Sequence, residues 1–199
     1  TGSQNGAAAE EYAYNLLRSY GLDVHYESFE AESWSRSTLS VFVNDEGYKA
    51  VSLAHSPVTA TVSAQIIDMG NGLEEDYAKH PERVKGKIVL AYLGILPGSA
   101  AGLKNLHRSE KTALAIKYGA KGIILFNSAP GDILLTGTAS VTGKLINIPA
   151  VCIGNRDGFR LKEELTKSSA TAEIKMTNFS GPVKARNVVA TIKGKEKAK

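Results

Sequence analysis

Lys87-Ile88-Val89-Leu90-Ala91-Tyr92-Leu93 is the stretch on which the fold turns. It is a continuous apolar run without alternation, the pattern of a strand buried on both faces. A loop rich in Gly, Pro and Ala (94–105) and a helical pattern over 109–118 follow it. Next comes Gly122-Ile123-Ile124-Leu125-Phe126, a second run of the same kind. Strand, helix and strand form a βαβ unit, which implies parallel strands and a right-handed crossover. An α/β fold is the expectation.

Working outward, the downstream sequence predicts a long loop over 128–147 and a strand over 149–153. A helix over 157–166 capped by Asn155, a strand over 171–177 and a last strand over 187–192 complete that side. Loops longer than about 15 residues are usually functional or mobile, so 128–147 is singled out. Upstream, alternation predicts a strand over 61–68 and a hairpin over 38–54 turning at Asn44-Asp45-Glu46-Gly47. A half-buried strand over 22–29 precedes them. Ala9, Tyr12, Ala13, Leu16, Leu17 and Tyr20 fall on one face of a helix over 6–20, with Asn5 as its cap.

The chain has 199 residues, of which 43% are hydrophobic and 22% charged. That length buries a core without help from disulfides or metal. No apolar run approaches the roughly 18 residues of a membrane helix. The net charge of +4 is a tail effect. Lys184, Arg186, Lys193, Lys195, Lys197 and Lys199 face only Glu196 after Pro182, which leaves 18 basic and 19 acidic residues before it. A nucleic-acid reader would carry basic residues interleaved with aromatics along its body, so that class is set aside. Cys152 is the one cysteine, inside the apolar run 148–153, and is expected to be a buried, inert thiol. Thr1-Gly2-Ser3 begins like a trimmed end, with no signal peptide.

No complete active site is legible. Gly98-Ser99-Ala100-Ala101-Gly102 is followed by Leu103, where a phosphate-binding loop needs Gly-Lys-Ser/Thr. No G-x-S-x-G or H-E-x-x-H motif occurs. His25 and Glu27 share a strand face, but a catalytic zinc needs three protein ligands and no third is implied. His55 and His80 fall at strand ends or turns. Glu10-Glu11, Glu74-Glu75 and Glu163-Glu164 sit on helical stretches and lack a third partner for acid–base chemistry. His107 and Arg108, opening the 109–118 helix with Ser109 as its cap, are candidate ligand contacts. Ile133, Leu134 and Leu135 are candidates too, because a solvated loop has no reason to carry three apolar residues in a row. No catalytic or metal-binding residue is assigned.

The series Val84-Lys85-Gly86-Lys87-Ile88-Val89-Leu90, Ala115 to Asn127, and Ile148-Pro149-Ala150-Val151-Cys152-Ile153-Gly154 resembles the protease-associated (PA) domain. The resemblance covers roughly residues 50–170. Gly2-Ser3, the first helix, Gly21-Leu22-Asp23-Val24 and Trp34 look like the start of M28-family zinc aminopeptidases. Ala185 to Gly194 looks like the strand that returns to their catalytic domain. The resemblance implies a PA-domain fold, a curved mixed β-sheet or open barrel flanked by short helices. It divides the chain into a peptidase-framework segment (1–49), the PA domain (50–170) and return strands (171–199).

In that family a His-x-Asp pair beyond this point begins a two-zinc site. This sequence stops at Lys199 before any such pair, so no zinc ligand is carried over and no cofactor is expected in this chain. The implied role is non-catalytic: shaping substrate access, or mediating contacts, in a secreted or periplasmic zinc aminopeptidase. Its partners would be the catalytic domain of the same polypeptide and the peptide substrate, with no nucleic acid and no membrane span. An independent binding module, or the PA domain of another protease such as a subtilisin-like one, would carry the same residues.

Overall fold

A computed structural model describes residues 3–194. Gly2, and Lys195, Lys197 and Lys199 of the basic tail, lie outside them. The chain divides into two units, one formed by residues 1–34 with 180–199 and the other by 35–179.

An eight-stranded sheet is curled into a half-barrel in the order β2-β1-β8-β4-β5-β6-β7-β3, and all of it lies in the larger unit except the start of β1 and the end of β8. Its strands are β1 (Asp23–Val43), β2 (Glu46–Gly47), β3 (Ala50–Ser52), β4 (Thr59–Asp68), β5 (Ile88–Tyr92), β6 (Gly122–Phe126), β7 (Ala150–Ile153) and β8 (Thr171–Thr191). The pairs β4–β5, β5–β6 and β6–β7 are parallel, whereas β3–β7 and β4–β8 are antiparallel. The expected mixed α/β sheet is therefore present, with the βαβ crossover made by α3 (Arg108–Lys117).

All five residues of β5 and all five of β6 are buried. Their side chains alternate between two cores. Ile88, Leu90, Tyr92, Ile124 and Phe126 join Val151, Ile174 and Leu161 of α4 (Asn155–Lys167) on one face. Val89, Ala91, Ile123 and Leu125 join Ala115 of α3 and Tyr77 of α2 (Glu74–Ala78) on the other.

Three expectations are corrected. The strands expected at 171–177 and 187–192 are one 21-residue strand, β8, despite Gly181-Pro182. The register with β4 ends at Thr177, so the donor missing at Pro182 leaves no β4 acceptor unpaired. The 38–54 hairpin shrinks to a two-residue β2, because β3 pairs with β7 at the opposite edge of the sheet. The helix caps shift as well. Ser3, not Asn5, caps α1 (Gln4–Ser19), with Gly6 N–H donating to its hydroxyl at 3.1 Å. Gly154, not Asn155, precedes α4, and the Asn155 amide instead donates to the Asn127 carbonyl at 2.8 Å.

In the smaller unit, Tyr14 of α1 stacks on Tyr26 at 4.6 Å, and Arg186 lies over the same ring at 3.9 Å. Arg186 Nε also donates to Glu10 Oε2 at 2.9 Å. No residue of α1 is buried, and Tyr12 and Tyr20 are 70% and 68% exposed.

Two predictions follow from the core of the larger unit. A Cβ at Gly158 of α4 would overlap the Phe126 ring. Gly→Ala inside a helix normally stabilises by about 1 kcal/mol. Here overpacking reverses the sign, and Gly158→Ala is expected to destabilise by about 2 kcal/mol in urea unfolding.

The second concerns Lys111, a fully buried ammonium whose Nζ donates to Tyr92 O at 2.5 Å and Gly94 O at 3.1 Å. Burial pulls its pKa from 10.5 down to about 8, partly opposed by Asp76. Between those values the unfolded chain binds the extra proton. The contribution to stability is therefore complete above 10.5 and is lost as pH falls through 8. From pH 8 to about 9.5, wild-type stability should rise by roughly 1–2 kcal/mol relative to Lys111→Met.

Candidate functional site

The candidates on α3 and on the 128–147 loop belong to one region of the larger unit. His107 is the cap that was expected of Ser109. Ser109 N–H donates to His107 Nδ1 at 3.3 Å, the Ser109 hydroxyl lies 2.7 Å from the same nitrogen, and His107 N–H donates to Glu110 Oε2 at 2.7 Å. The helix therefore begins one residue earlier, at Arg108.

The Arg108 side chain runs beneath Gly137, where any Cβ would overlap the guanidinium. Gly137 also sits at φ 140°, a conformation open to glycine. Arg108 Nε is buried without a hydrogen-bond partner, and no carboxylate pairs with this arginine among the described residues. Its charge also acts on Cys152, opposing the burial that pushes that thiol up to about 11. Cys152 is fully buried on β7, as its apolar run predicts.

The long loop is strapped down rather than free. At its start, Asn127 Nδ2 donates to Ile133 O at 2.8 Å and Arg156 N–H donates to Gly131 O at 3.3 Å. In its middle, Ala54 N–H donates to Gly137 O at 2.8 Å and Ala139 N–H to Ala54 O at 2.9 Å, a short parallel bridge. His55 Nδ1 lies 2.8 Å from Thr138 Oγ1, and Ile146 N–H donates to His55 O at 2.9 Å. These bonds hold His55 at φ 69°, in the left-handed region.

The apolar triplet divides. Leu135 packs on the second core together with Ile146, whereas Ile133 is 60% exposed. Val141 and Leu145 are exposed further along the same loop. Sequence reasoning missed His55, Asn127, Gly137 and Thr138 as the loop's fastenings. The asparagine directly after a buried strand and the glycine inside a Thr-Gly-Thr run were the available signals.

Among the described residues, His55–Thr138 and His107–Ser109 are imidazole–hydroxyl pairs without a third, orienting group of the kind an activated nucleophile uses. Among the described residues no group of three His, Cys, Asp or Glu is placed to hold a metal ion. His25 lies 3.6 Å from Glu27, with both side chains more than half exposed. No helix among the described residues is long and apolar enough to cross a membrane.

Against known proteins, the family model described as PA domain matches residues 57–161. The chain belongs to the PA domain family. A probable leucine aminopeptidase 2 of Aspergillus fumigatus is 25% identical over 186 residues, 92% of this chain and 34% of that protein. The aminopeptidase from Aneurinibacillus sp. strain AM-1 superposes with a TM-score of 0.69 at 26% identity, over 95% of this chain and 43% of that one. The zinc aminopeptidase of Bacillus subtilis gives 0.71 at 21% identity, over 98% and 43%, a likeness of fold. This PA domain chain thus spans between a third and a half of the length of the aminopeptidases it matches.

The PA domain's loop yields a paired prediction. Leu135→Ser removes a side chain from the core and should cost about 2 kcal/mol in thermal or urea unfolding. Ile133→Ser, at an exposed position, should stay within about 0.5 kcal/mol of wild type.

Proposed function

We propose that the chain is the PA-domain-bearing part of a larger zinc aminopeptidase, and that this part cleaves no peptide bond itself. The observation that carries this reading is the extent of the likeness to the Aneurinibacillus aminopeptidase. It takes in 95% of the chain, both units included, and only 43% of that protein. The framework segments lie within 1–49 and 171–199, on either side of the PA domain core.

The bare face of α1 supports the same reading. A 16-residue helix in water gains its stability from packing an apolar stripe, and Tyr12, Leu16 and Tyr20 are all exposed. The catalytic remainder of the parent is the natural cover for that stripe, and zinc belongs to that remainder. The PA domain then shapes access for the peptide substrate, with the strapped loop and its exposed Ile133, Val141 and Leu145 as the contact surface. The parent acts outside the cytoplasm, on the same family likeness.

The test is an aminoacyl-nitroanilide assay with added zinc, run on the chain alone and on the full-length parent. Turnover is expected from the parent only. Metal-dependent turnover by the chain that survives repurification and disappears in His25→Ala would overturn the proposal. In the parent, Tyr12→Glu with Leu16→Glu should lower the melting temperature by several degrees. In the chain alone the same pair should change it little.

A further inference from the structure

The PA domain has a concave region that shares no residue with the 128–147 loop. A cavity of about 510 Å³ opens between β4, the start of β5 and the end of α4. That volume is within the range of ligand clefts, about 300–1,000 Å³.

Its apolar lining is Ile66, Ile67 and Leu165, of which Ile66 and Leu165 pack against the first core. Its wall is cationic. Arg83, Lys87 and Lys162 face it, and Asp68 is the one carboxylate among its lining residues. Asp68 is spent on Lys162, with which it forms a close ion pair. Lys87 Nζ donates to the neutral amide oxygen of Gln65 at 2.5 Å, which satisfies a donor and leaves the charge uncancelled. Arg83 is exposed and takes part in no ion pair among the described residues. Two positive charges therefore stand beside that apolar lining without counter-charges.

The remaining border selects among anions. α4 ends on this cavity at Leu165 and Thr166, with Ser168 and Ser169 beyond. The last carbonyls of a helix have no intrahelical donors and carry the negative end of its dipole. A compact phosphate dianion is repelled by that end. A nucleic-acid strand would want aromatic rings to stack on, and no aromatic side chain lines the cavity. A polypeptide suits both borders at once, since its N–H groups can meet the helix carbonyls while its carboxylates meet the cations.

We propose that this cavity binds an acidic peptide segment. The Arg83 guanidinium grips one carboxylate in a two-pronged pair, Lys87 neutralises a second, and an apolar side chain between them rests on Ile66 and Leu165. The site stands apart from the proteolytic reading, and its test does not involve catalysis.

The probe is a fluorescein-labelled peptide alternating glutamate and leucine, with its glutamine–leucine counterpart, followed by anisotropy at low and high salt. The glutamate peptide should bind and weaken as salt screens the pairs, whereas the glutamine peptide should not bind. The double reversal Arg83→Glu with Lys87→Glu should weaken binding by at least about tenfold. Lys104→Glu, a reversal at an exposed position of the 94–105 loop, should leave it unchanged. Melting curves check that the variants fold, and the single changes Arg83→Gln and Lys87→Gln stand in if the double reversal does not.

Equal binding of the glutamine peptide overturns the proposal. So does an unaffected double variant, or a loss in Lys104→Glu as large as in the double, which would mean diffuse charge attraction. Displacement by inorganic phosphate at concentrations below those of the glutamate peptide would also overturn it, in favour of a phosphate site.

Discussion

A strand with no exposed face is the constraint that organises the larger unit. Because every side chain of β5 is removed from water, both of its edges must find backbone partners and both of its faces must find cover. β4 and β6 satisfy the edges. The two cores satisfy the faces, one closed by α4 and the other by α2 and α3. The close approach at Gly158 and the burial of Lys111 are local consequences of that demand. A helix must come very near Phe126, and a lysine stem must fill space over the sheet while its ammonium finds carbonyls at the strand's end.

The same demand shapes the long loop. Once β7 is buried beside β6, something must cover its outer neighbour β3 and the end of the second core. Leu135, Ala139 and Ile146 do this, and the backbone bridge to Ala54 fixes them there. A loop so fastened acts as a fixed wall and presents the apolar residues the core does not use. Arg108 is part of the fastening. Its stem passes under Gly137, so its charge is held by shape and not by a carboxylate.

Much of this architecture was legible in the sequence because burial leaves a compositional trace. Runs such as Ile88 to Tyr92 and Gly122 to Phe126 admit no polar residue, and their spacing around a helical stretch implies parallel pairing. What stayed hidden depends on partners distant in the chain. Residues 30–37 show no apolar alternation, yet they are strand within β1, where few side chains are buried. Gly181-Pro182 reads as a break until the register with β4 is known to end earlier. Around the candidate site, the sequence pointed to the loop and to His107 and Arg108. It gave no sign that His55, with a left-handed backbone, would meet Thr138, because that pairing spans 83 positions.

The larger unit begins at Ser35 and finishes at Phe179, on β1 and β8, which are neighbours in the sheet. Just inside those limits the hydroxyls of Thr38 and Thr177 are 2.6 Å apart. Adjacent strands stand about 5 Å from one another, so the unit opens and shuts on nearly the same spot. To any protein that carries it, some 145 residues therefore look like a single tight turn, and their removal leaves a gap that two or three glycines bridge. Closely spaced ends are the geometry that domain insertion favours, an arrangement open to genetic recombination and to the protein engineer alike.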